Sequence, residues 1–171
     1  DSLEVWPVGE PCRVRDLQAH GVQHEQLARG QRAAINVSGI DRERIQRGAE
    51  LATPGYLQPS RMIDVQLRCL TSYGRPLKST ATVWLEIGTT EVPVRVVLFE
   101  GDSLEPGASA YAQFRSGEPI TTAYGQHFIL RNASATRTIG GGIVLRPVAR
   151  RKRRDSSGEI EALRRIEQGD V

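Results

Sequence analysis

Turn-forming residues recur along this chain, and the stretches between them show no helical periodicity until the C-terminal tail. The 171 residues include 17 Gly and 9 Pro. They cluster at Gly9-Glu10-Pro11, Pro54-Gly55, Gly74-Arg75-Pro76, Gly88-Thr89-Thr90, Glu105-Pro106-Gly107 and Gly117-Glu118-Pro119. Each cluster carries the chemistry of a tight turn. The runs between them alternate with period two, most cleanly from Met62 to Leu70. There Ile63, Val65, Leu67 and Cys69 fall on one side and Asp64, Gln66 and Arg68 on the other. Further strands are expected at 80–87, 91–100, 108–114, 126–131 and 138–145. Such spacing excludes a helical bundle and argues an antiparallel barrel or sandwich.

The first part of the chain is organised around the stretch 20–48. Gly30 sits where a turn needs a positive φ. It feeds a strand expected to be buried, with Ala33, Ile35 and Val37 on its core face and Arg32, Ala34, Asn36 and Ser38 on the other. A charged excursion, Asp41-Arg42-Glu43-Arg44, leads through Arg47-Gly48 to a short strand at Glu50-Leu51-Ala52. Upstream, the alternation beginning at Cys12 and Val14 slips near Asp16, which predicts a bulge. Pro54, Gly55 and Pro59 form the one convincing linker. The expected organisation is therefore all-β: a partial barrel at 1–58, a complete barrel at 59–149, and a basic linker with a short helix at 150–171.

The net charge of +3 is a local matter, because Arg150, Arg151, Lys152, Arg153 and Arg154 alone exceed it. Cys12 and Cys69 lie far apart in apolar strand patterns and read as reduced core thiols. No apolar run approaches membrane-spanning length. In the tail, Ser156 and Glu159 fit a capping box. Ile160, Leu163 and Ile166 then share a helix face, and Gly169 stops the helix.

Chemistry by the chain itself finds little support. No phosphate-binding loop is present, since no Lys-Ser/Thr follows Gly140-Gly141-Gly142; those glycines read as a close backbone approach. The three histidines have no Cys or carboxylate at metal-ligand spacing. The chain is expected to be no enzyme, with no cofactor and no metal. Aromatic residues make up 5%, too few for a platform stacking single-stranded bases, so any RNA would be met through its phosphates.

Several spaced motifs carry a family resemblance. Ala19-His20-Gly21, the run from Gly30 to Gly39, Ile45-Gln46-Arg47-Gly48, Phe128-Ile129-Leu130-Arg131 and Thr138-Ile139-Gly140-Gly141-Gly142 together resemble the bacterial selenocysteine-specific elongation factors, a branch of the translational GTPases. Arg146 departs from the acidic or polar residue common there. The resemblance implies a fragment: part of the second domain, the third domain, and the start of the linker to the winged helices. It implies a cytoplasmic protein whose partners are selenocysteinyl-tRNA, the ribosome, and its own GTPase and winged-helix domains, with no membrane. GTP and magnesium would belong to the intact factor.

The same resemblance places Gln18, His20 and Arg32 at the aminoacylated 3′ end of the tRNA, and His127, Arg131 and Arg137 along its backbone. The competing readings are a polar strand end for His20, a solvated strand face for Arg131 and Arg137, and a surface pair with Glu25 or Asp16 for Arg32. The basic run, Arg150 to Arg154, reads as an exposed junction that touches RNA or serves only as a linker. Two functions thus stand: a tRNA-binding barrel module of a factor that delivers selenocysteinyl-tRNA, or a structural docking module of another translational GTPase without substrate discrimination.

Overall fold

The computed structural model describes residues 1–151 and 157–169. The chain forms two compact units, Asp1–Leu57 and Gln58–Val171.

The first unit is an open antiparallel sheet of five strands: β1 (Ser2–Trp6), β2 (Glu10–Ala19), β3 (Val22–Gln23), β4 (Ala34–Ser38) and β5 (Glu50–Ala52). β1 pairs with β2 and β5, and β2 also pairs with β3 and β4. The expected slip is present, since the register between β2 and β4 shifts between Val14 and Asp16. Val5, Cys12, Ala19 and Ala52 are buried. The strand expected to be buried at Ala33 to Ser38 is not. Ala34 and Asn36 are exposed, Ile35 keeps 39% of its surface and Val37 is half-buried. β4 pairs with β2 alone, at the edge of the sheet, and none of its residues is among the buried hydrophobic ones.

The second unit begins with β6 (Pro59–Cys69), followed by β7 (Leu77–Lys78), β8 (Thr82–Ile87), β9 (Thr90–Leu98), β10 (Ser103–Leu104), β11 (Ser109–Thr121), β12 (His127–Arg131), β13 (Thr138–Arg146) and α1 (Ser157–Gln168). Six of these strands close a barrel in the order β11-β6-β13-β12-β8-β9, while β7 and β10 form a separate pair. Closure removes the exposed edges that an open sheet would leave. The period-two reading of β6 holds inside the barrel: Ile63, Val65, Leu67 and Cys69 are fully buried. They join Leu85, Val96, Phe114, Phe128 and Leu130 in one core. Phe114 and Phe128 meet edge to face at 5.1 Å.

The glycine run of β13 permits the tightest approach. A Cβ on Gly142 would stand 1.9 Å from the Gln66 carbonyl oxygen, and one on Gly140 would stand 2.7 Å from that of Arg68. Only glycine lets β13 lie this close to β6.

Two sequence expectations fail here. Gly117-Glu118-Pro119 is not a turn between strands but an irregularity inside β11. Pairing with β6 shifts between Arg115 and Ile120, then resumes at Ile120–Ser60 and Thr121–Pro59. Burial of Ile120 draws the strand back into register, and a bulge tolerates the missing proline N–H. Asp64 does face outward, as its parity requires, yet it is fully buried. The covering comes from residues distant in sequence. Leu163 of α1 packs with Phe99 and Leu145, flanked by Ile160 and Ile166, in a second small core. Ala149 N–H donates to the Met62 carbonyl at 3.0 Å, so the chain after β13 runs alongside β6. The helix therefore belongs with the second unit. The expected cap at Ser156 lies outside the described residues.

Candidate functional site

In the first unit the structure brings Gln18, His20 and Arg32 around a single open concavity of about 350 Å³, completed by Gly21, Ala33 and Ala34. Local chain geometry sets each position. Ala19 pairs with Val22, leaving His20 and Gly21 as a two-residue hairpin turn. Their φ angles of 52° and 78° are the pair of positive values that a tight primed turn demands. The sequence reading had His20 as a polar strand end and named no hairpin here, although a residue tolerant of positive φ followed by Gly was the available signal. Gln18 pairs with Ala34 across β2 and β4, which sets it beside the residue two after Arg32. Arg32 leaves the Gly30 turn, where Gln31 Oε1 accepts from Ala28 N–H at 2.7 Å.

The lining supplies a guanidinium, an imidazole and a carboxamide, which suits recognition of a polar or anionic group. Neither acid weighed as a partner for Arg32 engages it. Asp16 accepts from Gln23 Nε2, and among the described residues Arg32 forms no ion pair.

The three barrel residues do not converge. His127 and Arg131 share the outer face of β12 but stand at its opposite ends. Arg131 Nη1 lies 3.1 Å from Glu86 Oε1 on β8, so its charge has a partner. Arg137 is exposed in the turn before β13. Asn132 Oδ1 accepts from the backbone N–H of Thr136 at 2.9 Å and of Arg137 at 3.1 Å, and Arg137 Nη2 donates to the Ser72 carbonyl at 2.6 Å. A carbonyl leaves the guanidinium charge intact. Arg150 and Arg151 are exposed, while Lys152, Arg153 and Arg154 lie outside the described residues.

Sequence reasoning missed one polar cluster. Buried Asp64 accepts from Gln113 Nε2 at 2.9 Å and pairs with Arg146 at 3.3 Å. Arg146 also reaches Glu159 of α1 at 2.6 Å. Burial, the dominant influence, raises the Asp64 pKa; Gln113 and Arg146 oppose it. The cluster ties α1 to the barrel and offers no vacant site. Among the described residues, no helix is long and apolar enough to cross a membrane.

Comparison with known proteins adds the family. Residues 63–151 match the family described as "Selenocysteine-specific elongation factor, beta-barrel domain". A selenocysteine-specific elongation factor from Desulfomicrobium baculatum is 36% identical over 95% of this chain, which covers 26% of that protein. Another from Escherichia coli strain K12 is 31% identical over 90% of this chain, and 24% of that protein is covered. The chain thus spans about a quarter of the length of these curated relatives. Among solved structures, apo translation elongation factor SelB from Methanococcus maripaludis superposes with a TM-score of 0.72 at 21% identity, over 84% of this chain and 35% of the other. That likeness speaks to the fold, whereas the sequence matches run through both units. The chain belongs to the selenocysteine-specific elongation factors, and the second unit carries their β-barrel domain.

Proposed function

We propose that this chain is the tRNA-binding portion of a factor that delivers selenocysteinyl-tRNA to the ribosome in the cytoplasm. GTP and magnesium would be handled by a GTPase domain elsewhere in the intact protein, and the messenger by its winged helices. One observation carries the reading: Gln18, His20 and Arg32, named from sequence as the aminoacyl end of the site, line one concavity.

The chemistry of discrimination follows from charge. A selenol ionises far more readily than a serine hydroxyl or a cysteine thiol, so selenocysteine is an anion at neutral pH. A guanidinium offers several donors and cannot lose its charge. Arg32 is exposed and unpaired by any described carboxylate, so its charge is available to a ligand. Seryl-tRNA would leave that cation without an anion in the partly desolvated complex, a penalty against the wrong substrate.

The test is Arg32→Ala and Arg32→Lys in the intact factor, with affinity measured for selenocysteinyl- and seryl-tRNA. Arg32→Ala should weaken the first by at least about tenfold, equivalent to about 1.4 kcal/mol, and the second little. An equal loss for both substrates defeats the discrimination role.

A further inference from the structure

Arg95 on β9 stands directly opposite Arg115 on β11. Cross-strand partners leave the same face of a sheet with Cβ atoms about 4.5–5.5 Å apart, and like charges so placed repel. Their next partners bring no acid: Arg95 also faces Thr82 of β8, and Arg115 faces Met62 of β6. A third cation arrives from the chain beyond β13. The Ala149–Met62 hydrogen bond and a 2.9 Å bond from Gln113 Nε2 to the Arg150 carbonyl hold the start of the basic run over the same strands. Arg151 is exposed there, as is Arg95.

Among the described residues, the acid whose charge acts on Arg115 is Asp64, which is fully buried and engaged by Gln113 and Arg146. Burial first, and then the charges of Arg151 and Arg95, push the Arg115 pKa below its ordinary value, with partial relief from Asp64. Arg115 Nε donates to Gln113 Oε1 at 2.9 Å, which helps fix the direction of its guanidinium. Among the described residues, no carboxylate forms an ion pair with Arg95 or Arg151.

We infer that Arg95, Arg115 and Arg151 form a docking surface for the sugar-phosphate backbone of a folded RNA. Guanidinium forks match phosphate oxygens in pairs, and closely set arginines gain most from a ligand whose charges repeat along a chain. Arg150 and Arg151 then supply one side of a composite surface whose other side is the barrel itself. The inference deepens the tRNA-binding reading, but it shares no residue with the concavity at Arg32.

The test uses the 171-residue chain and a fluorescein-labelled RNA duplex of about 16 base pairs carrying no amino acid. Binding is followed by anisotropy across about 50 to 200 mM salt. The logarithm of affinity should fall linearly with the logarithm of salt. Arg95→Gln should flatten that slope by about 0.9, and Arg95→Gln with Arg151→Gln by about twice as much, each with a several-fold weaker Kd. Both side chains are exposed, so the variants should melt like the parent; Arg95→Lys should keep most of the slope.

Failure of the parent chain to bind the duplex overturns the proposal, as does an unchanged slope in the double variant. A carboxylate polymer that competes as well as the duplex overturns the phosphate assignment. Arg32→Ala should leave the duplex titration unchanged, so loss of one reading does not decide the other.

Discussion

The carboxylate of Asp64, fully buried on the outer side of β6, lies 3.3 Å from the guanidinium of Arg146. The two are cross-strand partners between β6 and β13, and Arg146 also holds Glu159 of α1. One cation thus serves an acid of the barrel and an acid of the helix. Removing it would strand a buried charge. Arg146→Met should lower the stability of the second unit by about 3–5 kcal/mol, and the double variant with Asp64→Asn should recover much of that loss. Urea unfolding read through Trp84 in a Trp6→Phe background measures both.

The same carboxylate predicts a pH dependence. Burial raises its pKa in the folded protein above the ordinary 3.8. Between those two values the folded state holds a proton that the unfolded chain has released, so stability falls as pH rises. This contribution is fully present below about 3.8 and is lost as pH climbs through the folded value. Asn at this position has no such ionisation. The stability of the parent minus that of Asp64→Asn should therefore decline as pH rises from acid. A difference that grows with pH would show that the ion pair outweighs burial.

How far the fold could be read in advance depended on whether a residue's neighbours lay nearby in sequence. Ile63, Val65, Leu67 and Cys69 were legible because a strand's parity places them in the barrel whatever else the chain does. Asp64 obeyed the same parity, but its burial depends on α1 and the segment after β13, and no local pattern reveals a lid supplied from so far away. Ile35 failed in the opposite sense. Its alternation is that of a half-buried strand, yet β4 lies at a sheet edge. The grouping of Gln18, His20 and Arg32 came through resemblance. Alternation alone puts Gln18 and Arg32 on separate strand segments and says nothing of the pairing that joins them.

Gly142 gives a sharper test of barrel closure. Alanine there would place its Cβ 1.9 Å from the Gln66 carbonyl, a backbone atom that can move only if β6 and β13 separate. Gly142→Ala should cost more than about 4 kcal/mol or prevent folding of the second unit. Gly117→Ala is the control, since its Cβ meets nothing within 4 Å. It should change stability by no more than about 0.5 kcal/mol. Thermal melts of the two variants should diverge accordingly; a stable, parent-like Gly142→Ala would refute the close-approach account.

Leu163 should control helix docking separately from barrel closure. It is fully buried against Phe99 and Leu145, outside the main core. Leu163→Ala should weaken α1 docking by about 2–5 kcal/mol. Amide exchange in α1 should speed up while Val65, Leu67 and Leu130 in the barrel stay protected. Equal acceleration in both would mean that helix and barrel unfold as one cooperative body.

Arg131 and Arg137 were named together as phosphate contacts, but their surroundings predict unequal roles. The Arg131 guanidinium is paired with Glu86, and an incoming phosphate must compete with that carboxylate. Arg137 donates to a neutral carbonyl, Ser72, and keeps its full charge for a ligand. Each phosphate contact contributes about 0.9 to the slope of log affinity against log salt on duplex nucleic acid. Arg137→Gln should flatten the slope for tRNA by about that amount, and Arg131→Gln by clearly less. Glu86→Gln should then strengthen tRNA binding by freeing Arg131, and this gain should vanish when Arg131→Gln is added. If Glu86→Gln weakens binding instead, the pair acts by orienting Arg131 toward the RNA, and its charge was never withheld.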